Sequence, residues 1–225
     1  MIICLCITRN IYDKAKVAVY SLSKTNPNAT IYVLCEDDNL EWNIPNVKYV
    51  NVAYLENRFE DNKSWTYMAK VRLMLYELFD FDQIIYVDYD VICRKSLDEL
   101  WSLDLDDHDV GMVEEMDKPG YFNSGVLLIN LKRLRQGNGD KLMEHCNDKH
   151  QFPDQDLINE YWDIKPIDGK FNTGRCTNKG TFESAVIYHY MASPKPWNRR
   201  EDIYAEWWKV KEQMDGEYGI LEEVL

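Results

Sequence analysis

Two aspartates one residue apart, Asp88 and Asp90, close the run Asp82-Gln83-Ile84-Ile85-Tyr86-Val87. Ile84 to Val87 reads as a short buried strand, too continuously apolar to have a solvated face. Residues i and i+2 of an extended segment share a side, so both carboxylates can grip one divalent cation. Hard oxygen donors suit Mg²⁺ or Mn²⁺, which leave positions open for substrate phosphates. The competing interpretation is a solvated strand end with acidic turn residues.

A basic residue upstream bears on this choice. Ser64 to Phe79 carries a helix period, with Met68, Val71, Leu75, Leu78 and Phe79 as its apolar stripe. Arg72 sits inside that stripe, whereas Lys70 falls off it. A guanidinium facing a core must meet an anion, because an unpaired buried charge is very costly. The next strand ends in Asp88 and Asp90, so Arg72 is expected to reach the acidic site. A snorkelling Arg, with its stem buried and its head in water, is the alternative.

The remaining elements alternate between strand and helix, which predicts an α/β class. Residues 2–8 read as a first strand, Asp13 to Lys24 as a helix, and Thr30 to Cys35 as a second strand. Such a βαβ unit binds ligands beyond the carboxyl ends of its strands, where Thr8-Arg9-Asn10 and Glu36-Asp37-Asp38-Asn39 fall. Further on come a short helix at 97–101, a strand at 110–114 and the run 121–131, with Asn123, Ser124 and Gly125 before its apolar stretch. Gly125 there permits close approach of a ligand or a backbone. Helices follow at 131–147 and 154–162. Tyr204, Trp207 and Trp208 lie at helical spacing in the tail, as packing residues rather than an acceptor platform.

Composition removes several classes. At 225 residues the chain is long enough to bury a core without staples. Its formal net charge of −13 opposes nucleic acid and anionic membrane surfaces as partners. No stretch approaches 18 apolar residues and no basic leader precedes the first strand, so a cytoplasmic location is expected. The six cysteines form no CxxC pair. Cys4 and Cys6 alternate onto one strand face, which admits a metal site, but packing as small apolar residues is the commoner use.

Four stretches together resemble one family, the retaining glycosyltransferases of family 8, which includes glycogenin and bacterial lipopolysaccharide galactosyl- and glucosyltransferases. They are Tyr86-Val87-Asp88-Tyr89-Asp90, the run from Tyr121 to Asn130, Phe152-Pro153-Asp154-Gln155-Asp156-Leu157-Ile158-Asn159, and His189 through Lys195-Pro196-Trp197. They stand in the family's order across roughly residues 2–198. The resemblance implies a single-domain GT-A fold, a Rossmann-like nucleotide-binding architecture with a mixed, mostly parallel sheet. It also implies a nucleotide-diphosphate sugar donor, usually a UDP-hexose, and a Mn²⁺ cofactor, with Mg²⁺ as the alternative.

Carried over by position, Asp88, Asp90 and His189 would ligate the metal, with Tyr89 between the aspartates. A strand-like Ala185-Val186-Ile187-Tyr188 puts the imidazole at an edge, and His with two carboxylates suits Mn²⁺ better than Mg²⁺. Lys195 would hold the diphosphate as a point charge. The family usually has Gly where this chain has Ala192, beside the phosphate. Cys6, Ile7, Thr8 and Asn10 match the loop that cradles uracil and ribose, although an acidic residue often stands at Thr8. Arg72 matches the family's basic residue before the DxD, and Lys70 is the rival alignment. Asn123, Ser124 and Gly125 resemble the wall of the donor sugar. Asp154 and Gln155 resemble the catalytic pair beneath its ring, with Asp156 beside them; Asp154 is also a helix N-cap candidate, and it can do both jobs.

The expected reaction is metal-dependent, retaining transfer of glucose or galactose from a UDP-sugar to a glycan, lipid-linked or protein hydroxyl. Same-face attack, with Gln155 stabilising an oxocarbenium-like state, is favoured over a covalent intermediate on Asp154. A haloacid-dehalogenase-type phosphatase also uses Asp-x-Asp after an apolar strand, but that motif usually opens the chain. A nucleotide-sugar-binding protein without catalysis is the other alternative. Domain organisation is read as one GT-A unit over 1–225, with a donor half to about residue 100, a sugar and acceptor half at about 101–198, and a helical tail. Residues 199–225 hold four Lys or Arg against eight Asp or Glu, which disfavours membrane docking through the tail.

Overall fold

The computed structural model describes residues 1–60, 65–177, 180–201 and 204–218. Its main sheet has seven strands: β1 (Ile2–Cys6), β2 (Thr30–Cys35), β3 (Val47–Asn51), β4 (Ile84–Val87), β6 (Val110–Glu114), β7 (Phe122–Ile129) and β8 (Ile164–Pro166), in the order β3-β2-β1-β4-β7-β6-β8. β7 runs antiparallel to both neighbours, and the other pairings are parallel. A three-stranded sheet, β5 (Val91–Cys93), β9 (Thr173–Gly174) and β10 (Ile187–His189), is ordered β5-β10-β9.

Alternation along β1 explains the two-sided core. Ile3, Leu5 and Ile7 pack with Ala18 and Leu22 of the helix Tyr12–Thr25 and with Trp207 of the helix Ala205–Tyr218. Cys4 and Cys6 face the other side, with Val71, Leu75 and Leu157. Both thiols are free and pack as small apolar groups. Trp207 is buried, as its helical spacing predicts for packing. β4 is buried at every position, which accounts for its unbroken apolar run.

Three expectations need correction. Asp88 and Asp90 do not share one side of an extended segment, as their i, i+2 spacing predicts. The chain bends at Tyr89 and Asp90 before β5, and the two carboxylates still offer ligand atoms within 4.8 Å of each other. The helix expected over 64–79 begins at Met68 and is broken, with a tight 3-10 turn at Arg72–Met74 between helical turns Met68–Val71 and Leu75–Leu78. There Arg72 Nε takes the Ala69 carbonyl, and Met74 leaves helical geometry at φ −105°, ψ 8°. The expected start at Ser64 lies outside the described residues. The helix expected over 131–147 is likewise interrupted, because Gly137 adopts φ 116° between Leu131–Arg133 and Gly139–Met143.

Strand order reverses at β1 and β4, so a crevice opens beyond their carboxyl ends. Being antiparallel, β7 delivers its first residues to that same edge: Val87 is paired with Val126, and Asp88 N–H donates to the Gly125 carbonyl at 2.8 Å.

Candidate active site

The crevice holds a cleft of about 610 Å³ whose walls include six separated stretches of chain. Cys6, Thr8 and Asn10 follow β1, and Arg72 comes from the broken helix. Asp88, Tyr89 and Asp90 follow β4, and Asn123, Ser124 and Gly125 open β7. Asp154 and Gln155 start the helix Gln155–Tyr161, and His189, Ala192 and Lys195 follow from β10.

Asp88, Asp90 and His189 meet at its floor, each offering one ligand atom within 4.8 Å of the others. His189 Nε2 lies 3.1 Å from Asp90 Oδ1 and 3.8 Å from Asp88 Oδ2. Lys195 Nζ bonds Asp90 Oδ2 and the Tyr190 carbonyl. Burial pushes the Asp90 carboxyl up, but His189 and Lys195 outweigh it and hold the group well below the usual carboxylate range. Asp88 goes the other way, because burial outweighs the opposing pull of Arg72 and His189. One buried and one half-buried carboxylate beside a buried imidazole, already drawing a lysine ammonium onto Asp90, form a donor set that fits a divalent cation such as Mn²⁺.

Arg72 does what its place in the apolar stripe predicts. Its guanidinium is buried, 3.0 Å from Asp88 Oδ1 and 3.2 Å from Asp154 Oδ2, and it donates to the Ser124 carbonyl at 2.9 Å. It also stacks 4.2 Å from the Tyr86 ring. Burial opposes its charge, and the Asp154 and Asp88 carboxylates overcome that cost, so its pKa is raised further above the ordinary arginine value.

Asp154 occupies the N-cap position but caps nothing with its side chain, so the capping job expected of it is not done. Its carboxylate accepts from Ser124 Oγ at 2.8 Å and pairs with Arg72 instead. Gln155 Oε1 accepts from Ser124 N–H at 3.1 Å and Asn123 Nδ2 at 3.2 Å, while Gln155 Nε2 donates to Glu115 Oε1 at 3.1 Å.

Three expected residues stand away from the cleft wall. Ile7 is a core residue, fully buried. Lys70, expected off the apolar face, is buried too, but its ammonium lies over the Phe59 ring, 5.6 Å from the centroid, so of the rivals it is Arg72 that reaches Asp88 and Asp154. Asp156 reaches back to the Phe152 N–H at 2.9 Å and accepts from the Tyr121 hydroxyl, a local brace.

The cleft also includes residues with no role read from the sequence. Glu115 orients Gln155, and Trp65 and Phe152 form an edge-to-face pair at 6.1 Å, 40% and 39% exposed. An exposed aromatic pair at a cleft is a usable sequence signal only once the fold brings the two rings together. Ala192, where the resemblance places Gly, adopts φ 60°. That left-handed conformation costs a non-glycine residue about 1–2 kcal/mol, so the preference for Gly at this position is conformational.

The model of glycosyl transferase family 8 matches residues 2–201. The chain belongs to that family. This family 8 protein is 27% identical over 175 residues to the probable glycosyl transferase Gly of Streptococcus gordonii, covering 69% of this chain and 25% of that protein. It is 29% identical over 174 residues to a lipopolysaccharide 1,2-glucosyltransferase of Escherichia coli, covering 60% of this chain and 50% of that protein. It thus spans between a quarter and a half of the length of these two curated relatives. Among solved structures, the galactosyltransferase LgtC, in complex with donor and acceptor sugar analogs, superposes with a TM-score of 0.77 at 23% identity, covering 99% of this chain and 98% of that one. The expected GT-A fold is borne out. No helix among the described residues is long and apolar enough to cross a membrane.

Proposed function

We propose that this family 8 protein is a metal-dependent, retaining hexosyltransferase that moves glucose or galactose from a UDP-sugar to a hydroxyl of a glycan. The observation that carries the reading is the meeting of Asp88, Asp90 and His189 beneath Lys195 in one cleft. The catalogue of relatives supports it, since glucosyl- and galactosyltransferases acting on lipopolysaccharide are among them.

Asp88, Asp90 and His189 would hold Mn²⁺, or Mg²⁺ in its place. When bound, that cation supplies Lewis-acid stabilisation of the departing diphosphate. Lys195 contributes a positive charge at the same rim, and Arg72 keeps a second, permanent one behind Asp88. Cys6, Thr8 and Asn10 would receive the base and ribose, and Asn123, Ser124 and Gly125 the hexose. Asp154 is tied to Arg72 and Ser124 Oγ, which lowers its nucleophilicity and favours same-face attack over a covalent intermediate. Gln155, bonded by Ser124, Asn123 and Glu115, would stand beneath the sugar and stabilise an oxocarbenium-like state. A departing phosphate oxygen would take the acceptor's proton. The exposed pair Trp65 and Phe152 offers a flat apolar surface to an acceptor pyranose.

The test is release of UDP from UDP-glucose and UDP-galactose with Mn²⁺ or with chelator. Turnover is expected with Mn²⁺ alone and not in Asp90→Asn. Equal turnover with chelator, full activity in Asp90→Asn, or hydrolysis of p-nitrophenyl phosphate in place of UDP release would each overturn the reading.

A further inference from the structure

Asn172 carries no motif, yet it is fully buried directly behind His189. A backbone donor decides how its side chain is oriented. The Gly125 N–H points to Asn123 Oδ1 at 3.0 Å, so that atom must be the acceptor end of the Asn123 amide. A second group reaches the same oxygen at 2.8 Å, the amide nitrogen of Asn172. It follows that the other end of Asn172, 2.9 Å from His189 Nδ1, is a carbonyl oxygen, and the Nδ1 nitrogen must donate to it. A hydrogen-bonded relay thus runs from a β7 peptide through two amides to one imidazole. It fixes that ring: with Nδ1 donating to Asn172, Nε2 is the nitrogen that faces Asp90 and Asp88.

We propose that Asn172 is a positioning residue that holds the His189 proton on Nδ1 and thereby presents Nε2 to the Asp88 and Asp90 carboxylates. This rests on the metal reading above for its purpose, because a partner on the far nitrogen of a ligating imidazole fixes both tautomer and ring orientation. The hold on the proton itself depends only on the relay. Asn123 serves both ends, since its amide nitrogen also donates to Gln155 Oε1.

The test uses ¹⁵N-labelled protein with and without diamagnetic Mg²⁺, alongside Asn172→Leu, which keeps the volume and removes the hydrogen bonds. In the wild type, Nδ1 of His189 is expected to carry a slowly exchanging proton that Asn172→Leu loses. Mn²⁺ affinity, read by calorimetry, is expected to fall about 10–100-fold in the variant, at a retained circular dichroism spectrum. Observing an unprotonated Nδ1 in the wild type overturns the proposal without any variant, even where Asn172→Leu fails to fold. A protected Nδ1 proton or an Mn²⁺ affinity unchanged in Asn172→Leu also overturns it. Failure of the wild type to bind Mn²⁺ would defeat the metal reading instead, and the Nδ1 proton would still decide the role of Asn172.

Discussion

A Cβ built on Gly125 would sit 2.1 Å from Cε1 and 2.6 Å from Nδ1 of His189. The β7 backbone and the imidazole therefore occupy adjoining space that admits a hydrogen and nothing larger. Gly125→Ala must push the ring away from Asp90, because the contact is with a ring held on both sides rather than a flexible tip. Mn²⁺ affinity should fall about tenfold or more, the range seen when a ligating histidine loses its orientation. Calorimetric titration checks this, and an unchanged affinity would show that the imidazole does not bind the metal.

Arg72 is the cation that makes Asp88 and Asp154 tolerable in a buried wall. Replacing it with Met of similar length leaves the buried Asp154 and the half-buried Asp88 without their partner. The expected loss is about 3–5 kcal/mol of folding stability, measured by urea denaturation in chelator. Arg72→Lys should recover only part of it, since an ammonium cannot span Asp88, Asp154 and the Ser124 carbonyl as the guanidinium fork does. Equal stability of the Met variant would mean that the carboxylates find other compensation.

Lys195 and a bound cation would both draw on Asp90. Lys195→Ala should therefore leave Mn²⁺ affinity equal or higher while weakening UDP binding by about 10–100-fold, the worth of one charge-assisted hydrogen bond of about 1.5–3 kcal/mol. Parallel titrations with Mn²⁺ alone and with UDP plus Mn²⁺ separate the two effects. Loss of both affinities together would place Lys195 in the metal's support rather than on the diphosphate.

Cys93, buried behind β5 against Thr25 and Asn26, has its thiol pushed up to about 11 by burial. Its ordinary value, and so that of the unfolded chain, is 9.0. The unfolded chain thus loses this proton first as pH rises. Stability tied to the thiol is full below about pH 9 and falls as the pH passes through about 11, by about 2–3 kcal/mol. Comparing urea midpoints of wild type and Cys93→Ala across that window should show a shallower alkaline decline in the variant. Parallel declines would sink the assignment.

Much of the site was legible in residue order. The βαβ unit at the start, the buried strand before Asp88, and Arg72 within an apolar stripe all follow from local periodicity, and each stands where that predicts. Lys70 and Arg72 are only two residues apart; the helix period took Arg72 to the acids, but Lys70, expected off the apolar face, is buried as well, with its ammonium over the Phe59 ring. The paired acids Asp154 and Asp156 were not separable in this way. Either can serve a helix start, and only the contacts with Ser124 and Arg72 on one side, and Tyr121 on the other, assign one to the cleft and one to the brace.

Residue types and spacing by themselves determined the α/β alternation, the buried strand before Asp88 and the place of Arg72 in an apolar stripe, because hydrophobic period is a property of neighbours along the chain; the grouping of Asp88 and Asp90 with His189 and Lys195 came from a resemblance carried by separate stretches. The tertiary structure alone decided that β7 runs against β4, that Gly125 touches His189, and that Asn172 and Glu115 stand behind His189 and Gln155. Those facts depend on strand direction and on which amide faces which. They arise when segments far apart in the chain are packed in one register, and a buried Asn or a Glu in a loop has no local pattern that announces it.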